Sequence, residues 1–208
     1  MIRSAYSSMY TRIQFEYRPR KSIGLICLLA ELKVPELTKG KVNKLVFLAD
    51  KLHLVRYARP ITGDWYAAMP HGPVPSHTDN LLDAFEANVR SPEVDLLSTY
   101  VYLDRKFQYP RLISLGQSQI PQQELSASDI SVLQETVAQY GRKTFLELRA
   151  LTHEMPAYER AWEARTGNRG EMRFEDLFEE DENAIAGVME EALENCRLQQ
   201  AFPEPVWD

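Results

Sequence analysis

Cysteine is scarce in this chain. Cys27 and Cys196 stand alone in apolar helical patterns, and no Cys-x-x-Cys pair occurs. That leaves no disulfide framework and no zinc-ribbon spacing, and it suits packed thiols in a reducing cytoplasm. Long apolar runs are also missing, and none approaches a membrane span. The stretch Ile23 to Ala30 follows the basic Arg18-Pro19-Arg20-Lys21, but it starts late and meets Glu31 without a small-residue cleavage pattern. It does not read as a secretion signal. There is no glycine-rich phosphate loop, no Gly-x-Ser-x-Gly and no His-Glu-x-x-His. His71 and His77 beside Asp64 offer poor metal-ligand geometry from one corner, so no metal and no cofactor are expected. No basic helix-turn-helix stands out. A net charge of −6 argues against a dedicated nucleic-acid binder. The chain does not look like an enzyme.

What is there is an ordinary globular mixture, 44% hydrophobic and 26% charged over 208 residues, enough for one real core. Charge is uneven. Residues 1–60 hold twelve Lys and Arg against four acids, whereas residues 171–200 hold ten acids against two Arg. Such asymmetry lets two ends solvate opposite faces or steers a charged partner.

The most informative stretch runs from Lys41 to Pro75. From Val42 to Tyr57 apolar residues recur at helical spacing, uninterrupted by proline or glycine. At roughly 100° per residue, Val42, Leu45, Leu48, Ala49, Leu52 and Val55 share one face. Val46, Phe47, Leu54 and Tyr57 fall on the far side, and Lys44 and Lys51 face solvent. A helix apolar over most of its circumference lies inside a domain. Asn43, Asp50 and His53 sit within it and need partners. Asp50 either accepts bonds from the following loop, or joins His53 and the Gly63-Asp64 turn in a polar pocket. Pro60 ends the helix near Ala58, and Pro60 to Asp64 form a tight turn with Gly63 free to take positive φ. Trp65 to Met69 read as a short strand. Pro70-His71-Gly72-Pro73-Val74-Pro75 has three prolines and is expected to be a stiff, exposed corner, neither strand nor helix. Ser76 or Thr78 is placed to cap the next helix, which runs to Val89 and is closed by Pro92.

Farther along, alternation over Leu97 to Asp104 predicts a strand, with a hairpin partner at Leu112 to Leu115 across Arg105 to Tyr109. Trp65 to Met69 would join the same small sheet. Ser126 or Ser128 caps a helix through Tyr140, stopped at Gly141. Helices over Thr144–Thr152 and from Pro156 through Trp162 follow, then an acidic region. Its last helix carries Ile185, Val188, Met189, Ala192 and Cys196 as a core stripe, ahead of an extended end with Trp207. The expected fold is α+β and predominantly α-helical: a central buried helix, surrounding helices and a small antiparallel sheet.

The run from Lys44-Leu45 to Asp50-Lys51, then Arg59-Pro60-Ile61-Thr62-Gly63-Asp64, Tyr66 and His71-Gly72-Pro73-Val74-Pro75 resembles the Panacea (SocA-like) antitoxin domain. Phe15 to Lys21 and Leu151-Thr152-His153-Glu154 with Trp162 extend the likeness over residues 15–178. Residues 1–14 then form a tail or edge segment, and residues 179–208 an acidic helical extension. Trp65 and Pro70 are local variations. The resemblance implies a cytoplasmic antitoxin that neutralises a co-encoded toxin by direct protein binding, or an adaptor handing it to an energy-dependent protease. Asp64, Trp65, Tyr66, Met69, His71, Pro73 and Val74 are the candidate contact residues. Asp50, His53, Thr62, Gly63 and Gly72 are the candidate structural motif. The competing reading is a small-molecule or hydrolytic site made by Asp50, His53, Asp64 and His71, which requires all four to converge. Oligomeric state is not legible.

Overall fold

Proline, glycine and short polar caps mark where helices begin and end, and apolar spacing decides which face turns inward. In the computed structural model, which describes residues 12–116, 121–178 and 182–202, helix α1 spans Pro19–Glu31 with Pro19 at its first turn, where no amide is needed. Helix α2, Lys39–Tyr57, is capped by the Thr38 side chain accepting from the Lys41 amide, and Ala58 ends it in the left-handed region. A hairpin of β1 (Tyr66–Met69) and β2 (Gly72–Pro75) leads to α3, Ser76–Glu86. Next come α4 (Pro92–Tyr100), the hairpin β3 (Val101–Asp104) and β4 (Arg111–Ser114), and short α5 (Pro121–Glu124). Helices α6 (Ala127–Tyr140), α7 (Phe145–His153) and α8 (Pro156–Glu163) follow. Strand β5 (Gly170–Glu171), a 3-10 turn (Phe174–Leu177) and α9 (Glu182–Ala201) complete the order. The expected N-terminal tail up to residue 11, residues 117–120 of the Gln-rich loop, acidic residues 179–181 and the Trp207 end lie outside the described residues.

The architecture is α+β and predominantly helical. Helix α2 is central: α1, α3, α6, α7, α9 and β2 all pack on it. Lys41 to Asp50 are buried without a break. Leu45, Val46, Phe47 and Leu54 are wholly enclosed, each burial contributing about 2 kcal/mol. No described helix is long and apolar enough to cross a membrane. Val188, Met189, Ala192 and Cys196 on α9 pack against the core, as the stripe requires.

Several expectations are corrected. Lys44 is buried, not solvent-facing, whereas Val55 and Tyr57 are exposed near the free end of α2. With neighbours on all sides, α2 has no face left for solvent over its middle turns, so charge alone does not mark the outside. Residues Gly72–Pro75 form a strand despite two of its four residues being prolines. The register explains why: Pro73 faces Ala68 and Pro75 faces Tyr66, while Val74 faces Ala67. Prolines at alternate positions put both missing donors on the outer edge of β2, where no ladder bond is lost. Pro92 opens a helix instead of closing one, because Ser91 accepts from the Val94 amide and caps it; only Val101–Asp104 remain strand. The two hairpins belong to separate sheets, ordered β2-β1-β5 and β3-β4. β5 takes the free side of β1 through Ala67↔Glu171 and Ala68↔Gly170.

Candidate partner-binding surface

Asp50 organises the turn that follows α2. Its Oδ1 accepts from the Ile61 amide at 2.8 Å and the Thr62 amide at 3.0 Å. Its Oδ2 accepts from the Tyr66 hydroxyl at 2.7 Å and from the Thr62 hydroxyl. Four neutral donors and no cation surround a fully enclosed carboxylate. Burial therefore raises its pKa, opposed by the bonds from Thr62, Tyr66 and Ile61. Tyr66 is held well above the ordinary phenol range, by burial first and then by Asp50 and Asp64. Of the two readings open for Asp50, the loop-bonding one is what the structure contains.

Gly63 follows with φ 66, and a Cβ there would run into the Glu16 carbonyl oxygen. The glycine is needed because residues 16–18 lie directly on the turn, tied by the Arg18 amide donating to the Thr62 carbonyl at 2.8 Å. Asp64 then replaces the expected Ser76 or Thr78 cap. Pro75 occupies the N-cap position of α3 and has no side-chain acceptor to offer. Asp64 Oδ2 accepts from the Thr78 amide at 2.8 Å, and Oδ1 from the His77 amide at 3.0 Å. A carboxylate from another segment thus satisfies the first-turn donors and faces the positive end of the helix.

The hairpin is pinned from beneath and from its tip. Lys44 donates to the outward Pro73 carbonyl at 2.8 Å. Gly72, with φ 96, leaves room for the Lys44 ammonium and the Thr152 hydroxyl. Tyr158 donates to the Met69 carbonyl at 2.9 Å, and Arg149 to the Pro70 carbonyl at 3.3 Å.

What this frame displays is narrower than the predicted contact set. Asp64, Tyr66 and Pro73 are buried, Met69 and Val74 are half-buried, and Trp65 and His71 are exposed. Trp65, at 40% exposure, stands in a row. The Arg169 guanidinium lies 4.5 Å from its ring centre and donates to Ser76 Oγ at 2.8 Å. His77 meets Trp65 edge-on at 6.5 Å and stacks on Tyr17 at 4.5 Å, while its Nδ1 lies 3.0 Å from Asp64 Oδ1. Tyr17, His77 and Arg169 were not legible as members of this surface. Tyr17 and Arg169 come from segments remote in sequence, and nothing local marks them.

A second polar centre joins α1, α2 and α6. Buried Asp129 accepts from Lys21 at 2.5 Å, Arg59 at 3.2 Å and the Ser126 amide at 3.0 Å, and its Oδ1 lies 3.1 Å from His53 Nε2. His53 Nδ1 donates to the Arg59 carbonyl at 2.7 Å, since a carbonyl oxygen only accepts. Burial works against the Asp129 charge, but the bonds from His53, Lys21 and Ser126 outweigh it and hold the carboxyl below the usual range. Ser126 and Asp129 also form the capping box of α6.

Asp50, His53, Asp64 and His71 do not converge. Asp50 serves the loop, His53 the Asp129 centre, Asp64 the α3 terminus, and His71 stands at the hairpin tip against Phe145 at 6.4 Å. Among the described residues no three His, Cys, Asp or Glu gather as a metal site.

A family model described as "Antitoxin SocA-like, Panacea domain" matches residues 42–163, from α2 through α8. No curated protein and no solved structure matches the chain.

Proposed function

The chain belongs to the SocA-like Panacea antitoxin family, and from that premise we propose that it neutralises a co-encoded toxin by direct contact through the Trp65 face. The observation that carries this reading is an exposed tryptophan flanked by Arg169, His77 and Tyr17 on a hairpin fixed by buried bonds. Tryptophan, tyrosine and arginine are the usual energetic centres of protein interfaces. A frame held by Asp50, Asp64 and Lys44 is already ordered before binding, which lowers the cost of association. Met69, His71 and Val74 border the face, while Asp64, Tyr66 and Pro73 act from beneath it. The unit extends past the matched family segment, since residues 15–18 dock on the Gly63 turn; we take residues 15–178 as the binding domain. Cys27 and Cys196 are buried free thiols, which suits a cytoplasmic protein.

Co-expression with the product of the adjacent reading frame tests the reading. Growth is expected to be rescued, and the two purified proteins are expected to associate. Rescue without association, accompanied by toxin turnover that requires both this protein and an energy-dependent protease, would replace occlusion with delivery for degradation. No rescue and no association would overturn both forms.

A further inference from the structure

At the tip of the β1–β2 hairpin, helices α7 and α8 line an open cavity of about 500 Å³, within the range of small-ligand sites. Its lining is electrically divided. Arg149 and His153 stand on the α7 side beside Pro70, Tyr158 and Trp162 supply aromatic surface, and Glu159 and Glu163 come from α8. The rings form a column: His153 stacks on Tyr158 at 4.4 Å, Tyr158 on Trp162 at 6.0 Å, and Arg165 caps Trp162 at 3.8 Å.

The α7 side carries polar groups short of partners. Among the described residues Arg149 makes no ion pair, and the one hydrogen bond of its side chain goes to the Pro70 carbonyl. His153 Nε2 is shielded from solvent without a partner. Behind them Lys44 is buried, and among the described residues its ammonium bonds to the Pro73 carbonyl. A half-buried guanidinium with no counter-ion beside an unpartnered imidazole nitrogen is a place where a ligand acceptor would be stabilised.

We propose that this cavity binds a single carboxylate attached to an aromatic or apolar group, with Arg149 as its counter-ion and the Tyr158–Trp162 wall as its apolar contact. The carboxylate reaches the Arg149 side, and Glu159 and Glu163 limit the ligand to one negative charge. Burial pushes the Lys44 ammonium down to about 7, aided by Arg149 and opposed by Asp79. His153 is likewise held below the ordinary imidazole value, first by burial and then by Arg149, Lys44 and His71. Both shifts come first from burial, with neighbouring cations adding to them. The proposal stands apart from the Trp65 reading and survives its failure.

The full-length chain is titrated by NMR with three probes: N-acetylphenylalanine carrying a free carboxylate, acetyl-Glu-Phe amide, and neutral N-acetylphenylalanine amide. At least one acid is expected to bind saturably and at least tenfold more tightly than the neutral amide, with shifts centred on α7 and α8. A winning free acid identifies a chain-end carboxylate, and a winning Glu peptide a side-chain carboxylate. Arg149→Gln should erase the difference, Arg149→Lys should keep part of it, and Glu163→Gln should tighten the acids two- to threefold. Equal binding of all three probes, no saturable binding at all, or an acid preference that persists in Arg149→Gln would overturn the proposal.

Discussion

Two buried carboxylates, Asp50 on α2 and Asp129 on α6, are satisfied in opposite ways. Asp50 is held by amides and hydroxyls alone, from Ile61, Thr62 and Tyr66. Asp129 is held by Lys21, Arg59 and His53 together with the Ser126 amide. The first fixes a loop and hence the hairpin; the second clamps α1, α2 and α6 together. Neutral donors fix geometry but leave the charge expensive, whereas cations stabilise the charge and make its loss expensive. The Trp65 face hangs on the neutral centre, so its shape depends on hydrogen-bond count more than on net charge.

The largest expected effect comes from emptying the neutral centre. Asp50→Ala leaves buried Ile61, Thr62 and Tyr66 donors unsatisfied and should cost about 4 kcal/mol by chemical denaturation, at one to three for each orphaned group less partial relaxation. The comparison is sharpened by the isosteric pair. Asp129→Asn strands the Lys21 and Arg59 charges and should cost about 2–3 kcal/mol, reduced because both cations keep some solvent. Asp50→Asn keeps one acceptor oxygen, removes an expensive charge, and should cost about 1 kcal/mol or less. The reverse order would break the distinction between the two centres.

Acidity separates the centres by sign. The folded pKa of Asp129 lies below its ordinary value, so its stabilisation is present above about pH 4 and is lost as pH falls through that range. Asp129→Asn should flatten this acid-side loss. The folded pKa of Asp50 lies above its ordinary value, so its contribution is full below about pH 4 and is lost as pH rises toward the folded value. Asp50→Asn should therefore gain on the wild type with rising pH, and parallel pH–stability curves for the two variants would contradict the assignment. A smaller effect is expected at Lys44, whose folded pKa is near 7. The unfolded chain keeps that proton up to about pH 10, so stability from this group rises with pH above 7. Lys44→Met should remove about 1–2 kcal/mol of that rise between pH 7 and 9, read as the difference between the two curves.

Much of this was legible along the chain, because the signals are local. The uninterrupted apolar run gave the buried helix, Ser126 its cap, and Gly63 its turn. The failures share a cause: the deciding partner lies far away in sequence. Proline count alone ruled out β2, yet proline parity against β1 permits it. Ser91-Pro92 was a helix start, but the alternation after it was read as a strand. Lys44 looked exposed because charge usually is, and only the hairpin crossing over α2 encloses it. Asp64 caps α3 from a segment outside that helix, and nothing near it in sequence announces the role. Arg169, which completes the Trp65 face, carries no local mark.

The most direct measurement is the affinity of the adjacent-frame toxin for Trp65→Ala, taken by calorimetry beside the wild type, with thermal stability recorded for both. Affinity should fall at least thirtyfold, about 2 kcal/mol, with an unchanged melting temperature, because Trp65 is displayed by the frame and does not hold it. Equal affinity for the two proteins would contradict a Trp65-centred interface and move the contact elsewhere on the domain.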